Sequence, residues 1–364
     1  MKCKLSDICV FRKGKVDISN LTLKTYISTE NMLPNKGGIA EASSLPTVQL
    51  TQEYKKGDVL VSNIRPYFKK IWRAKHDGGC SNDVLVFQGN SNIDGEFLYY
   101  VLANDNFFAY SMATSKGTKM PRGDKTSIMQ YDVPKFEINI QKRIAGILRS
   151  LDEKIELNIA INNNLEQQVS ILYQSWFEDF EITNGVCPEN WSYQELSTIA
   201  DIASGKRPPI KSDICNEETP IYIVGAASVM GFTSEANHTD KILVTGRVGT
   251  HGVIQRFNTP CWTSDNTLVI TSPYYEFTNQ ILHRIDYSSM NRGSTQPLIT
   301  QGDMKKVVVL VPDEHTLAKF EKFAGSLMAK WEANNKENVK LASLRDTLLP
   351  KLMSGELDVS DIEL

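Results

Sequence analysis

The same long apolar pattern occurs twice in this chain, with the second copy 176 residues after the first. In each copy, apolar residues recur at alternating steps of four and three, a spacing typical of a helix that packs along another helix. Asparagines interrupt both copies at matching positions, which indicates that they fix the register of the helices. The first seam comprises Ile144, Leu148, Leu151, Ile155, Asn158, Asn162, Leu165, Val169, Leu172 and Trp176. The second comprises Phe320, Ala324, Leu327, Trp331, Asn334, Asn338, Leu341, Arg345, Leu348 and Leu352.

These seams predict two long helices that form an antiparallel coiled coil within the chain. We expect the first helix over residues 140–181 and the second over residues 315–354, with a kink or an end at Pro350. Arg345 occupies an otherwise apolar position of the second seam, and neighbouring Leu344 could rotate into its place. Three aromatic residues at the end of the first helix are expected to cap the coil, with contact to a partner protein as the alternative: Trp176, Phe177 and Phe180.

Shorter motifs recur ahead of each helix and predict that the preceding domains are related. Leu5-Ser6-Asp7-Ile8 followed by Gly14-Lys15 is echoed by Leu196-Ser197-Thr198-Ile199 followed by Gly205-Lys206. Asp58-Val59-Leu60-Val61 through Arg65 is echoed by Lys241-Ile242-Leu243-Val244 through Arg247, and Ser81-Asn82-Asp83 by Ser264-Asp265-Asn266. Strand-like segments alternate with turns in both regions, which favours mixed α/β domains.

The sequence therefore predicts an α+β pseudo-twofold repeat. A first domain is expected over residues 1–139, the central helix over 140–181, a second domain over 182–314 and the C-terminal helix over 315–354. Residues 355–364 form a short acidic tail that we expect to be a frayed end.

Composition and charge narrow the class of protein. The chain has 364 residues and a formal net charge of −3, which suffices for two domains with separate cores. Because this charge is negative, a nucleic-acid surface must be a local basic patch or be completed by a partner. No run of about 18 apolar residues and no signal-peptide pattern occurs, so we expect no membrane partner. Six scattered cysteines without a CxxC pair predict reduced thiols in a cytoplasmic protein.

No motif in the sequence indicates catalysis. Neither a Gly-x-x-x-x-Gly-Lys-Ser/Thr loop nor a Gly-x-Gly-x-x-Gly motif is present, and no Asn-Pro-Pro-Tyr tetrad indicates an amino-methyltransferase. The glycine cluster over 246–252 favours a tight turn, with a phosphate cradle as the alternative. The five histidines are dispersed, which predicts no metal site. We therefore expect a chain that is not an enzyme by itself and binds no cofactor.

Two basic stretches in the first domain and several cations in the second are candidates for DNA contacts. Phosphates require cations, and base edges require polar or planar side chains. The alternative for each residue is ordinary solvated surface charge, but their recurrence in both domains favours DNA. In the first domain the candidates are Arg65, Lys69, Lys70, Arg73, Lys116, Lys119, Arg122 and Lys125. In the second they are Lys206, Arg207, Arg247, His251, Arg292 and Gln296, of which Gln296 suits adenine.

At this point the chain resembles a known family, the DNA specificity subunits of type I restriction–modification systems. The resemblance rests on segments at the ends of both helices and at the start of the second domain, and it covers essentially the whole chain. These segments are Gln141-Lys142-Arg143-Ile144, the run 172–180 (LYQSWFEDF), Ser204-Gly205-Lys206 and the run 344–357 (LRDTLLPKLMSGEL).

The resemblance implies two target-recognition domains that each read one half of a bipartite, asymmetric sequence in double-stranded DNA. It implies that the helices space these domains and dock two copies of a methyltransferase subunit, which use S-adenosylmethionine to methylate adenine at N6. A restriction/translocase subunit, with ATP and Mg²⁺, is a further expected partner. Two other hypotheses are a nuclease or modification enzyme that acts alone, and a protein–protein adaptor without a DNA role.

Overall fold

A computed structural model describes residues 2–290 and 298–359 of the chain. The chain divides into two compact units, and each combines a globular domain with parts of two long helices. Unit 1 comprises Met1–Asn158 and Lys336–Leu364, and unit 2 comprises Ile159–Asn335. Mixed helices and sheets confirm the predicted α+β fold class.

The domain of unit 1 consists of short strands and short helices. The strands are β1 (Lys2–Lys4), β2 (Cys9–Phe11), β3 (Lys15–Asp17), β4 (Tyr26–Ile27), β5 (Leu50–Tyr54), β6 (Val59–Ser62), β7 (Ile71–Arg73), β8 (Gly78–Cys80), β9 (Val84–Gly89) and β10 (Asp132–Pro134). The helices are α1 (Gly95–Ala103), α2 (Asp105–Ala113), α3 (Lys125–Ile128) and the long α4 (Ile138–Phe177). One sheet has the order β2-β9-β6-β7, another the order β3-β5-β8-β4, and β1 pairs with β10.

The sheet β2-β9-β6-β7 separates two apolar cores. Strand β6 is buried along its whole length because both of its faces are covered, which explains its continuous apolar run. Val59 and Val61 lie in the core that contains α1 and α4, whereas Leu60 lies in the core of the second sheet. The alternation follows from the two-residue period of a strand.

Unit 2 repeats this plan with one change in its second sheet. Its strands are β11 (Ser192–Glu195), β12 (Asp201–Ser204), β13 (Ile221–Val224), β14 (Val229–Thr233), β15 (Ile242–Gly246), β16 (Gln255–Phe257), β17 (Cys261–Thr263), β18 (Thr267–Thr271) and β19 (Val308–Val311). Its helices are α5 (Tyr275–Arg284), α6 (Gln301–Lys305) and the long α7 (Glu314–Ser354). The sheets have the orders β12-β18-β15-β16, β14-β13-β17 and β11-β19.

Within unit 1, the first half of α4 packs against the last part of α7 in antiparallel orientation. Arg345 donates to Asp152 at 2.7 Å, and Asn158 donates to Asn338 at 2.9 Å. Residue numbers therefore increase along α4 as they decrease along the facing part of α7. Ile144 and Leu148 of the same stretch are buried in the core of the domain, so this helix pair belongs to the fold of unit 1.

Within unit 2, the second half of α4 packs against the first part of α7 in the same sense. Asn334 donates to Asn162 at 2.8 Å, and the rings of Phe177 and Phe320 lie 5.2 Å apart. The 176-residue repeat relates Asn158 to Asn334 and Asn162 to Asn338. The pair in unit 1 is therefore the counterpart of the pair in unit 2. Every predicted seam residue of both helices is buried or half-buried.

The buried face moves away from the predicted seam at the end of α4. Tyr173 and Phe177 are buried in the core of unit 2, whereas Leu172 and Trp176 of the predicted seam are only half-buried. The reason is that α4 packs here against the domain as well as against α7, which rotates the covered face by one position. The ring of Phe180 lies 6.1 Å from that of Trp191, so these aromatics join the helix to the domain.

The structure contradicts three expectations for the C-terminal region: a helix end at Pro350, a frayed tail at residues 355–359 and Leu344 in place of Arg345. A kink at Pro350 stays a prediction. Helix α7 continues through Pro350 to Ser354, because Leu349, Leu352 and Met353 on this last stretch are buried in the unit 1 core. The tail does not fray at residues 355–359: Val359 is buried, and its carbonyl oxygen accepts a hydrogen bond from Arg143 at 3.3 Å.

Leu344 does not replace Arg345 in the seam. Leu344 is exposed, and the Arg345 guanidinium is held by Asp152 and Asp346 at 2.7 and 2.9 Å. Two carboxylates make a cation tolerable at this apolar position. Residues 360–364 lie outside the described part of the chain.

Candidate nucleic-acid interface

Two basic segments that are distant in the sequence are neighbours in unit 1. Arg122 forms antiparallel bridges with both Ile64 and Lys116, and the backbone N–H of Arg65 donates to Pro121 at 2.8 Å. The segment after β6 and the segment ahead of α3 thus form one surface. This unit 1 basic surface comprises Arg65, Lys69, Lys70, Lys116, Lys119 and Arg122.

A strained turn builds the centre of the unit 1 basic surface. Pro66–Phe68 form one turn of 3₁₀ helix, and both flanking residues, Arg65 and Lys69, have left-handed backbone with φ of 50° and 51°. This conformation costs about 1–3 kcal/mol for each non-glycine residue. The carbonyl oxygens of Phe68 and Lys69 accept hydrogen bonds at 2.8 and 2.9 Å from a neighbouring loop, so the turn is held in place.

The charges of this surface are only partly compensated. Arg65 and Lys119 are exposed. Three other cations pair with one carboxylate each: Lys69 with Asp105 at 2.8 Å, Lys116 with Asp124 at 2.7 Å and Arg122 with Asp83 at 3.2 Å. The hydrogen bond from Lys116 lowers the pKa of Asp124. Six cations against three carboxylates leave a local excess of positive charge in a chain of net charge −3, which suits a polyanion.

Two of the predicted DNA-contact residues, Lys70 and Arg73, make contacts within unit 1 that stabilise its fold. The Lys70 ammonium donates to the carbonyl oxygen of Thr29 at 2.6 Å, and burial lowers the pKa of Lys70. Arg73 is half-buried on β7 and forms an ion pair with Glu96 in the first turn of α1. A role of Arg73 in DNA contact stays a prediction, and its observed contact joins the sheet to α1.

A cleft beside the unit 1 basic surface contains the predicted Lys125 together with Lys15, which the sequence interpretation missed. It has a volume of about 260 Å³ and is lined by Lys15, Lys125, Asn82 and the ring of Phe11 among others. The Lys125 ammonium lies 5.9 Å from the centroid of that ring. Lys15 follows Gly14 as Lys206 follows Gly205, and the two glycines lie at matching positions, each three residues after a residue that pairs in register, Phe11 of β2 and Ile202 of β12. This recurrence was the signal that could have identified Lys15.

In unit 2, Lys206 and Arg207 are exposed in the loop after β12. The indole N–H of Trp262 donates to the carbonyl oxygen of Lys206 at 2.7 Å and anchors this loop. Burial and the charge of Lys206 lower the pKa of His238. Lys206 therefore occupies a defined position, with its ammonium group exposed.

The structure corrects the predicted correspondence of Arg247. Ser62 pairs with Val84 in unit 1 and Gly246 pairs with Thr267 in unit 2, so Arg247 matches Asn63 and not Arg65. The backbone agrees: the N–H of Asn63 donates to Asp83, and the N–H of Arg247 donates to Asn266, each at 2.8 Å. Each strand begins with three apolar residues, 59–61 and 242–244, and the sequence analysis aligned these runs one position away from the structural register.

The loop after β15 presents polar atoms without partners. His251 Nδ1 lies 3.1 Å from the carbonyl oxygen of Gly246. Over residues 2–290 and 298–359, the buried Nε2 of His251 and Nε of Arg247 find no hydrogen-bond partner. Buried polar atoms are normally paired, so these are candidates for contact with a ligand. Arg292 and Gln296, the other candidates of this unit, lie outside the described residues.

The described residues include no group of three or more His, Cys, Asp or Glu side chains that could hold a metal ion. In the same part of the chain, no helix has the length and apolar character needed to cross a membrane.

Comparisons with known proteins find related sequences along most of the chain. Residues 1–167 match the type I restriction modification DNA specificity domain. The HindI specificity subunit of Haemophilus influenzae is 23% identical, over 97% of this chain and 98% of that protein. The MjaIX specificity subunit of Methanocaldococcus jannaschii is 26% identical, over 77% of this chain and 74% of that protein.

A crystal structure of the type I restriction–modification S subunit from M. genitalium shares the fold. Its TM-score is 0.59 at 19% identity, and the match covers 99% of this chain and 96% of that one. Nearly the whole chain is thus similar in sequence to specificity subunits of type I restriction enzymes, and its residues 1–167 match the DNA specificity domain of that family.

Proposed function

We propose that this chain reads a bipartite, gapped target in double-stranded DNA, one half with each unit, for a type I restriction–modification complex. The observation that carries the proposal is the repeat of one scaffold with different loops. The four-stranded sheet, the short turn ahead of it and the asparagine pair recur in both units. The basic residues around the ends of the sheets differ, as two different half-sites require.

We assign no catalytic step to this chain. Adenine N6 methylation with S-adenosylmethionine, and ATP- and Mg²⁺-dependent translocation and cleavage, belong in this proposal to methyltransferase and restriction subunits. A specificity subunit is non-catalytic, and its contribution is to select the sequence and to hold the subunits there.

The long helices supply a second element of the proposal, the docking of two methyltransferase subunits. Each unit exposes large apolar side chains on its helix pair, outside the seams. In unit 1 these are Leu157, Val339 and Leu344, and in unit 2 they are Ile159, Ile171 and Phe323. One apolar set in each unit supports one methyltransferase copy for each unit.

The adaptor hypothesis is weaker because a protein interface does not require the unit 1 basic surface. Lysine is depleted in protein–protein interfaces, whereas six cations on one surface are expected for a phosphate backbone. The hypothesis of an enzyme that acts alone requires an active site for which no residue set on the described surface has been found.

The first test is a single-molecule map of N6-methyladenine in cells that express this chain with its neighbouring methyltransferase subunit. We expect a two-part, gapped motif that disappears when this chain is deleted. A map that is unchanged by the deletion, with an active methyltransferase, would overturn the proposal.

A second test assigns the unit 1 basic surface. Binding of the mapped duplex by the complete methyltransferase complex is measured against salt concentration. Each of Arg65→Ala, Lys119→Ala and Arg122→Ala should weaken binding and reduce the slope of log K against log salt by about 0.9. Lys24→Ala is the matched control, because Lys24 is exposed in unit 1 and pairs with Glu41. An unchanged slope in all three variants would remove this surface from the DNA interface.

A further inference from the structure

We propose that Tyr67 and Phe68 form a stacking wedge that enters the DNA and unstacks one base step in the half-site read by unit 1. The proposal rests on the DNA-binding function proposed above. Both side chains are exposed, Tyr67 at 48% and Phe68 at 38%, and their rings lie 4.6 Å apart. Two exposed aromatic rings in contact with each other, with an angle of 51° between their planes, form an apolar tip on this turn.

The wedge is rigid, as insertion requires. Its turn is flanked by the left-handed residues Arg65 and Lys69 and begins at Pro66, which is buried. Hydrogen bonds fix both sides: Arg65 donates to Pro121 at 2.8 Å, and Phe68 accepts from Asn35 at 2.8 Å. A flexible loop would lose entropy on insertion, whereas this turn holds its rings in one place before binding.

The surroundings of the wedge favour DNA as the occupant of this surface. Leu33 and Met120, on the two loops bonded to the turn, are also exposed and extend the apolar tip. Cations surround the tip, and the Lys70 ammonium lies 5.8 Å from the centroid of the Phe68 ring. Apolar side chains that unstack a base step, with cations placed for the flanking phosphates, are how minor-groove and architectural proteins kink a duplex. A protein partner would not require this ring of cations.

Unit 2 has no matching device in its described loop. Because Asn63 corresponds to Arg247, the turn and its flanks correspond to residues 249–253, which contain no aromatic side chain other than the His251 imidazole. His251 is half-buried and bonded to Gly246. The unstacked step is therefore expected in one half-site only, which gives the experiment an internal control.

The experiment measures permanganate oxidation of unstacked thymines in a duplex that carries the mapped motif. The duplex is bound by the full chain in complex with its methyltransferase subunit. We expect reactive thymines in one half-site with the wild type and with Tyr67→Phe, and their loss with Tyr67→Ala and Phe68→Ala. Affinity should fall about tenfold in the alanine variants, as for the loss of one base–aromatic stack. The salt slope should not change, because no charge is removed.

Tyr193→Ala is the control variant, since Tyr193 is exposed on β11 of unit 2 and lies outside the proposed interface. Base opening by the methyltransferase does not count as wedging, because only thymine reactivity that is lost in Tyr67→Ala and in Phe68→Ala is scored.

If the wild type binds and methylates its motif but the pattern is the same in Tyr67→Ala, the wedge is overturned and the proposed function stands. If Tyr67→Ala instead loses the methyltransferase subunit in size-exclusion chromatography, the tip is a protein contact and the wedge is again overturned. If the wild-type complex has no preferred sequence, the proposed function fails and the wedge fails with it.

Discussion

Units 1 and 2 share one four-stranded sheet but differ in the sheet that packs beside it. The orders β2-β9-β6-β7 and β12-β18-β15-β16 correspond strand by strand. In unit 1 the parallel pair β4–β8 is extended at β8 by β5 and β3, whereas in unit 2 the parallel pair β13–β17 is extended at β13 by β14. The shared sheet packs against the helices of each unit. The difference in strand order is therefore confined to the second sheet.

The helix pairs of the two units differ at positions that the repeat places in register. Asp152 and Arg345 form an ion pair in unit 1, and their counterparts in unit 2 are the buried Met328 and Val169. The first N–H groups of the neighbouring helix are also bound differently. In unit 1, Asp94 ahead of α1 accepts from the backbone N–H groups of Glu96 and Phe97. In unit 2, Glu321 on α7 accepts from those of Glu276 and Phe277 at the start of α5.

The largest expected effect concerns the apolar joint between helix pair and domain. Phe320 is fully buried, with its ring 5.2 Å from Phe177 and 6.2 Å from Phe277, and its counterpart Ile144 is buried in unit 1. Phe320→Ala should lower the free energy of unfolding of unit 2 by about 3–5 kcal/mol, because a large cavity remains. Hydrogen exchange in residues 196–282 measures this effect. Ile144→Ala should act mainly on unit 1, and equal loss of protection in both units would contradict separate cores.

The second prediction is a pH dependence that only unit 2 should show. Burial raises the pKa of Glu321 to about 7 from an ordinary value of 4.5, against the opposing effect of hydrogen bonds from the backbone of Phe277 and Glu276. The folded unit therefore holds a proton that the unfolded chain releases. This stability is complete below about pH 4.5 and is lost as the pH rises through about 7, in total about 3 kcal/mol.

Unfolding of the wild type and of Glu321→Gln should be compared from pH 5 to pH 8. The amide keeps an acceptor for the α5 backbone but does not ionise, so its difference from the wild type should grow with pH. In unit 1, the corresponding N–H groups at the start of α1 donate to Asp94, which directly precedes that helix. Parallel stability curves for the two proteins over this range would show that Glu321 is not responsible.

Periodicity and repetition gave most of the fold. The spacing of apolar residues located both helices, and the doubled asparagines indicated their register, because such patterns are local in sequence. The prediction was less accurate at the end of α4, where Tyr173 and Phe177 are buried through contact with the domain. That contact joins segments that are distant in the sequence, so the spacing of apolar residues within the helix does not predict it.

The candidate site was less predictable than the fold. The sequence identified both basic segments of unit 1, yet their contact through Ile64 and Arg122 depends on long-range pairing. Arg247 was assigned to the wrong counterpart because the three apolar residues that begin β6 and β15, 59–61 and 242–244, resemble each other out of the structural register.

The third prediction uses the ion pair of unit 1. Arg345→Val leaves Asp152 with the hydroxyl of Tyr100, 2.7 Å away, as its remaining partner, and should cost about 2–3 kcal/mol. Adding Asp152→Met gives unit 1 the same residue pair, Met and Val, that unit 2 has at these positions. The double variant should recover most of the lost stability, since an apolar pair can replace a buried ion pair without loss. Thermal unfolding of both variants measures the coupling. If the double variant is less stable than Arg345→Val, the two slots are not equivalent.

The smallest effect is expected at the asparagine pairs. Asn334 is buried and donates to Asn162 at 2.8 Å, while its own Oδ1 has no partner in the described chain; Asn158 of unit 1 shows the same buried, unpaired Oδ1. Asn162→Leu would leave Asn334 without its acceptor and should cost about 1–2 kcal/mol. The double variant with Asn334→Leu removes both polar groups and should restore or exceed wild-type stability.

A polar pair that is kept at a cost in stability is expected where it fixes the register of two helices. The double variant should therefore show a second, minor gap length in the N6-methyladenine map, and an unchanged single gap would mean that the apolar seam alone sets the register.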